Sequence, residues 1–322
     1  DGHDPASVHA ALEAAQAETG RPTMIAVRTE IGFGSPNKAG TAGVHGAPLG
    51  ADEIAAARET LGWHHAPFEV PDEILAAWRA AGARGGEAYK AWAGRWAALD
   101  AAKRAAFEDP MNGEIAAAVT RAISDLKKQI VDGGETKATR VWSQIAIEAL
   151  LPVVPGLVGG SADLTGSNNT LTKGLGTFDA DNRKGRHVYY GVREHGMAAA
   201  MNGLALHGGI RPYGGTFLCF TDYARGAMRL SSLMGVPVTY VMTHDSIGLG
   251  EDGPTHQPVE TCSGLRVIPG LDVIRPGDAE ETAGALAACL QRIDGPTAVM
   301  LTRQNIPNIN TVSAKERREG VI

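Results

Sequence analysis

Three absences narrow the field before any motif is read. Cysteine is scarce: Cys219, Cys262 and Cys289 are the only three, they form no CxxC pair, and they sit in apolar surroundings such as Leu218-Cys219-Phe220. That spacing argues against a disulfide scaffold and for reduced thiols in a cytosolic protein. Long apolar runs are missing, so nothing reads as a membrane span, and the N-terminus has neither a signal peptide nor an initiator methionine. An excess of positive charge is missing too: the net charge is -6, with acids and bases interspersed and no basic stripe. Nucleic acid and an anionic membrane are therefore poor partners, and small-molecule chemistry is the default. What is present is length, since 322 residues favour two packing units and a core that needs no covalent staples. The missing methionine, with Asp1-Gly2-His3-Asp4 opening onto a helix start, suggests a piece of a longer chain.

Asp4-Pro5 predicts a helix to about Thr19, because aspartate caps free amides and proline loses nothing in the first turn. Residues 23–29 (TMIAVRT) read as a buried strand, and the glycine- and proline-rich stretch from Gly32 to Gly50, which holds His45, reads as loop. From Ala51 to Phe107, alanine, tryptophan and charge predict helices joined at Gly82 to Gly86. Asp109-Pro110 reads as the next helix start, with Ile115, Val119, Ile123, Leu126 and Ile130 on one apolar face. Beyond Gly134, short apolar runs alternate with helix-length segments: LVGG near 157, HVYYGV from His187, VPVTYVM from Val236, LDVI from Leu271 and TAVML from Thr297. That alternation predicts an α/β fold, a mostly parallel sheet covered by helices. The helix after LDVI carries a capping box, Asp278 with Glu281, and should bury Leu286, Leu290 and Ile293.

Ligands of an open parallel sheet bind beyond the carboxyl ends of its strands, where amides and helix N-termini converge. Here LVGG is followed by Ser161 and Asp163, HVYYGV by Arg193, Glu194 and His195, VPVTYVM by His244 and Asp245, LDVI by Arg275, and TAVML by Arg303. Wet loops explain any one of these. The whole set, with glycines beside it, points to one ligand-binding edge. Gly248 to Gly253 matches GxGxxG, the dinucleotide fingerprint, but Pro254 and Pro258 interrupt the helix it needs, and the next strand ends in Arg275 rather than an acid. Zinc fares worse: His64 and His65 are adjacent, and His244 and His256 lack a third ligand at suitable spacing. Phe217, Phe220 and Tyr223 recur every three residues in a chain only 5% aromatic, which suits either a core cluster or one wall of a flat pocket.

The stretches GVHGAPLG, GGSADLTGSN, YYGVREHGM, PYGGTFLCFTDYARGA, THDSIGLGEDGPTHQP and LTRQN resemble the transketolase family, in the family's order and over nearly the whole chain. The resemblance implies a thiamine diphosphate-binding fold with helices on both faces of the sheet, preceded by a helical connector and the remnant of a second α/β domain. It implies transfer of a two-carbon ketol unit from a ketose phosphate to an aldose phosphate. Glu194 of the REH segment is implied as the acid bonded to N1′ of the cofactor's pyrimidine. Such a carboxyl must stay neutral or share its proton, as an apolar pocket promotes; an acid stabilised by a helix dipole is the other reading of this residue. Phe217, Phe220 and Tyr223 are implied as ring contacts, Phe220 foremost. Arg140, Ser167, His244 and Arg303 are implied at the substrate's phosphate end and Asp252 at a sugar hydroxyl. His45 and His256 are implied near the reacting carbons, with His45 also touching the cofactor, so that Glu194, His45 and His256 form the catalytic set. Arginine suits phosphate because its planar fork binds oxygens in pairs, while surface ion pairs are the plain alternative for Arg140 and Arg303.

The family also holds the diphosphate through Mg²⁺ or Ca²⁺ with a GDG motif and a downstream asparagine. Neither is found here, so no metal ligand is assigned. By resemblance the protein is cytoplasmic, acts on sugar phosphates in the pentose phosphate pathway or the Calvin cycle, and forms a homodimer or pairs with a complementary subunit. Residues 1–62 are expected to close the diphosphate-binding domain, 63–108 to form the connector, 109–310 the pyrimidine-binding domain, and 311–322 the start of a C-terminal domain. The chain alone is then expected to be inactive. Two alternatives differ in kind: a related thiamine enzyme, such as a formaldehyde transketolase or a deoxyxylulose phosphate synthase, and a noncatalytic transketolase-like module that pairs with a separate subunit.

Overall fold

A computed structural model describes residues 1–309, so the stretch 311–322 lies outside the described residues. Its contacts divide the chain into two compact units, 1–94 and the part from Arg95 onward.

In the first unit, α1 (Pro5–Ala17) begins at the anticipated cap, with Asp4 accepting from the amides of Ala6 and Ser7. A single 3-10 turn, Ala42–Val44, interrupts the following loop, and α2 (Ala51–Thr60) and α3 (Asp72–Ala83) come next. The division between the units falls within α4 (Gly86–Ala97). Glu53 of α2 ties down the loop by accepting from Ser35 Oγ and from both the amide and the side chain of Asn37. Those bonds, Ser35 first, hold its carboxyl down to about 2. The expected strand at 23–29 is not found: the segment is exposed throughout, with Met24 at 91%. A strand persists where a neighbour takes its backbone groups, and among the described residues no strand pairs with this one.

In the second unit, α5 (Ala101–Glu108) leads to α6 (Gly113–Gly133), which starts at Asn112 and not at Asp109-Pro110. Asn112 Oδ1 accepts from Glu114 and Ile115 at 3.1 Å, whereas Asp109 spends its carboxylate on Met111 N at 3.0 Å and makes a turn. The apolar face of α6 is buried at Ile115, Val119, Ile123, Leu126 and Ile130, as its spacing requires. α7 (Thr139–Leu150) then precedes the sheet.

Six strands form one parallel sheet: β1 (Leu157–Ser161), β2 (His187–Tyr189), β3 (Arg211–Phe217), β4 (Thr239–Thr243), β5 (Asp272–Ile274) and β6 (Thr297–Leu301), in the order β2-β1-β3-β4-β6-β5. Between them run α8 (Thr165–Asn168), α9 (Glu194–His207), α10 (Thr221–Leu233), α11 (Thr261–Arg266) and α12 (Ala279–Gln291). Alternating strand residues face two cores. Val241, Val299 and Leu301 pack with α6, α7 and α12. Tyr240, Met242, Ala298 and Met300 pack with α9 and α10. Helices thus cover both faces, and the chain reverses direction across the sheet between β1 and β3, where a crevice must open at the carboxyl ends.

The sequence reading contained no strand at β3, although all seven of its residues are buried. Pro212, Gly214 and Gly215 depress strand propensity, and close packing is why glycine stands there. A Cβ on Gly214 would lie 2.6 Å from Met201 Sδ, and one on Gly215 would lie 2.6 Å from Thr170 Cγ2. Gly159 of β1 is tighter still, because the ring of Tyr213 crosses it 2.0 Å from where a Cβ would stand. Arg211 opens β3 as a buried cation that donates to the carbonyls of Cys289, Leu290 and Arg292 at 3.3, 2.6 and 2.6 Å, closing the C-terminal end of α12. That helix keeps its expected cap, Asp278 accepting from Glu281 N at 2.9 Å, but it ends at Gln291 and leaves Ile293 exposed.

Candidate active site

A cavity of about 640 Å³ opens at the carboxyl ends of β1, β2 and β3 and is lined by Ala162, Asp163, Leu164, Val192, Glu194, Phe217, Phe220, Tyr223 and His256. The three aromatic residues converge from different elements: Phe217 ends β3, Phe220 sits in a 3-10 turn, and Tyr223 lies in the first turn of α10. Phe217 and Phe220 are parallel, 5.8 Å apart at 5°, and Tyr223 follows 6.1 Å from Phe220. His256 meets the first two edge-on at 5.8 and 5.3 Å. These rings form a wall a flat ligand can stack on. Glu194, the first residue of α9, is half-buried on the same cavity. β2 stops at Tyr189, and Val192, between it and Glu194, borders the cavity while 74% exposed.

A second group lies around His244, which follows β4. Its φ of 59° is rare for a side chain larger than glycine. The buried imidazole stacks on Phe217 at 3.7 Å, with Nδ1 2.9 Å from Thr243 Oγ1. Burial pushes it down to about 4, aided by Arg140, Arg303 and His256 and opposed by Asp252, so it is neutral at pH 7. Arg140 donates to the Ser167 carbonyl at 2.5 Å, its buried Nε has no partner, and burial together with Arg303 weakens its hold on its proton. Arg303 is bonded to Glu251. Ser167 is half-buried in α8, and Asp252 is exposed. Two guanidiniums and a neutral imidazole close enough to perturb one another suit a doubly charged oxyanion.

Not every residue expected at this edge is displayed there. Arg275 pairs with the buried carboxylate of Asp245 at 2.7 Å, so these two hold each other. The GxGxxG stretch begins in a single 3-10 turn at Ile247–Leu249 and is followed by another at Pro254–His256, without the α-helix a pyrophosphate would need. His45 belongs to the first unit, exposed just after the 3-10 turn Ala42–Val44. The sequence reading missed Ala162, Leu164 and Val192 as cavity lining and the buried polar residues Asn168 and Thr243 beside His244. Asn168 and Thr243 lie within quoted motifs, but nothing in their spacing says that they meet. Among the described residues, no group of three or more His, Cys, Asp or Glu could hold a metal ion, and no helix is long and apolar enough to cross a membrane.

A doubly wound parallel sheet with Glu194 and a ring wall at its switch point, and cations alongside, defines an α/β protein with a crevice at the carboxyl ends of its strands. Comparison with known proteins narrows this. Residues 135–308 match the family model described as transketolase, pyrimidine binding domain, and residues 1–116 match transketolase, thiamine diphosphate binding domain. The chain belongs to the transketolase family. It is 54% identical over 311 residues to the transketolase of Cereibacter sphaeroides, covering 97% of this chain and 47% of that protein. Among solved structures it resembles transketolase from Leishmania mexicana at 42% identity and a TM-score of 0.76, covering 97% of this chain and 46% of that one. A Pichia stipitis transketolase in complex with sedoheptulose 7-phosphate matches at 38% identity and a TM-score of 0.75, covering 99% of this chain and 48% of that one. The chain thus spans about half the length of the relatives it matches.

Proposed function

We propose that the chain supplies the pyrimidine-binding wall and the phosphate-binding corner of a transketolase, which transfers a two-carbon ketol unit from a ketose phosphate to an aldose phosphate. The observation that carries this reading is the convergence of Glu194 and the Phe217, Phe220 and Tyr223 rings on one cavity. Its size, its flat wall and the Glu194 carboxyl beside that wall fit the pyrimidine of thiamine diphosphate, which when bound supplies a nucleophilic carbon for attack on the ketose carbonyl. Glu194 would hold a proton against the pyrimidine nitrogen, and the rings would fix its plane. His256, edge-on to two of those rings, would meet the substrate near the reacting carbons, and His45 is proposed for the same substrate and for the cofactor. Arg140, Ser167, His244 and Arg303 would take the phosphate, and Asp252 a sugar hydroxyl. Among the described residues, no group of three or more His, Cys, Asp or Glu fits a divalent metal.

A second subunit, either a copy of the chain or a complementary polypeptide, is proposed to close the cavity. Supporting this, Val192 and Tyr223 at its rim are 74% and 67% exposed, and Leu206, Leu230 and Leu233 are exposed on α9 and α10. Transfer of a reactive two-carbon unit would need water excluded from the site, which this open rim does not provide. A cytoplasmic location and the division at 62, 108 and 310 belong to the same reading. The test is a coupled ketol-transfer assay on the chain joined by the polypeptide that completes the site. Glu194→Gln should lower kcat on the order of 10²- to 10⁴-fold with little change in KM, whereas Arg140→Ala should mainly raise KM for sugar phosphates. An undiminished kcat in Glu194→Gln overturns the reading, and turnover by the chain alone overturns the need for a second subunit.

A further inference from the structure

A line of buried hydrogen bonds runs across the sheet edge from β1 to His244. Ser161 Oγ lies 2.7 Å from Asn168 Oδ1, Asn168 Nδ2 lies 2.7 Å from Thr243 Oγ1, and Thr243 Oγ1 lies 2.9 Å from His244 Nδ1. Ser161, Asn168 and Thr243 are wholly buried and His244 nearly so, which leaves no solvent to replace a missing partner. We propose that this line fixes the tautomer of His244, keeping its proton on Nε2, and that Asn168 and Thr243 are positioning residues of the phosphate-binding corner.

The direction follows from counting donors and acceptors. Ser161 Oγ accepts from Leu164 N at 3.2 Å and has one proton to give. The Gly215 carbonyl is 3.0 Å away, whereas Asn168 Oδ1, which can only accept, lies at 2.7 Å and takes that proton. Asn168 then presents its amide hydrogens to Thr243, and the acceptor left for the Thr243 hydroxyl proton is His244 Nδ1. A proton on Nδ1 would leave that hydroxyl hydrogen buried without a partner, at a cost of about 1–3 kcal/mol. Nε2 has no protein partner among the described residues and therefore offers an N–H to whatever binds between Arg140 and Arg303. An imidazole locked this way donates to a ligand oxygen with a free lone pair, which each outer oxygen of a phosphate offers. What Nε2 meets rests on the phosphate reading above; the tautomer does not.

The test is long-range ¹H–¹⁵N correlation of the histidine rings in the ¹⁵N-labelled full chain between about pH 6 and 8, with His244 assigned by the signal lost in His244→Gln. The expected pattern has Nε2 protonated and Nδ1 bare. Thr243→Val should give a mixture of tautomers that Thr243→Ser restores, and Asn168→Asp, which can only accept from Thr243, should move the proton to Nδ1. Protonated Nδ1 in the unaltered chain overturns the proposal, as does a Thr243→Val ring with an unchanged tautomer; the first needs no variant to fold. Inorganic phosphate is then titrated in. A shift of the His244 Nε2–H signal that disappears in Arg303→Ala supports the role in binding, whereas the expected tautomer with no phosphate response refutes the phosphate reading and leaves the hydrogen-bond line intact.

Discussion

Acid should destabilise the second unit through His187. Its ring is fully buried at the start of β2, with Nε2 3.2 Å from Thr165 Oγ1 and Nδ1 without a partner, and burial pushes it from 6.5 down to about 4. Above pH 6.5 the residue is neutral whether folded or unfolded and contributes nothing to pH dependence. Between those values the unfolded chain binds a proton that the folded chain refuses, so stability falls as pH falls; below about 4 both states are protonated and the loss is complete. A gap of about 2.5 pH units at 1.36 kcal/mol each amounts to on the order of 3 kcal/mol, most of it lost by about pH 4.5. That is a large share of a typical stability of about 5–15 kcal/mol. Urea unfolding of the unaltered chain and of His187→Gln, followed by circular dichroism at about pH 7 and 4.5, isolates the effect, because other acid-sensitive groups, His244 included, titrate in both proteins. The variant should be the less stable protein at neutral pH by about 1–2 kcal/mol and should lose that disadvantage, or reverse it, in acid. A stability difference that is the same at both pH values would refute the reasoning.

Gly159→Ala should cost about 3 kcal/mol or more by driving a methyl into the Tyr213 ring, and a double-mutant cycle with Tyr213→Leu should recover part of it in urea titrations. Arg211→Met should cost about 3 kcal/mol or more, read as a lowered melting temperature, because the carbonyls of Cys289, Leu290 and Arg292 lose a shared cationic donor inside the protein. Phe220→Ala removes the middle ring of the wall. It should weaken binding of thiamine diphosphate to the completed site about tenfold, from a stacking loss of about 1–1.5 kcal/mol, and calorimetry that finds equal affinity would argue against ring stacking there.

How much of this was legible in the sequence depended on whether the signal was local. The cap at Asp4, the face of α6, the cap of α12 and five of the six strands are patterns in neighbouring residues, and the backbone obeys them because a few nearby side chains satisfy its amides or share one face. Local signals misled where a distant partner decides. The segment 23–29 has strand composition but no neighbouring strand, and Asp109 caps a turn because Asn112 is the better-placed oxygen for α6. Strand β3 went unread because its glycines answer to Met201 and Thr170, which are remote in sequence.

The chemistry divided along the same line. Glu194, His244 and Arg303 could be singled out because they follow strand ends that the sequence shows, and Phe217, Phe220 and Tyr223 because they stand in a motif that resembles the family's. Sequence alone could not say that Phe217 carries His244 on its face, that Asp245 takes Arg275 out of play, or that Asn168 and Thr243 share a hydrogen bond 75 residues apart. Those facts arise when parallel strands bring separate loops to one edge, so that the tertiary structure decides which polar atoms are left for a ligand and which are already spent on one another.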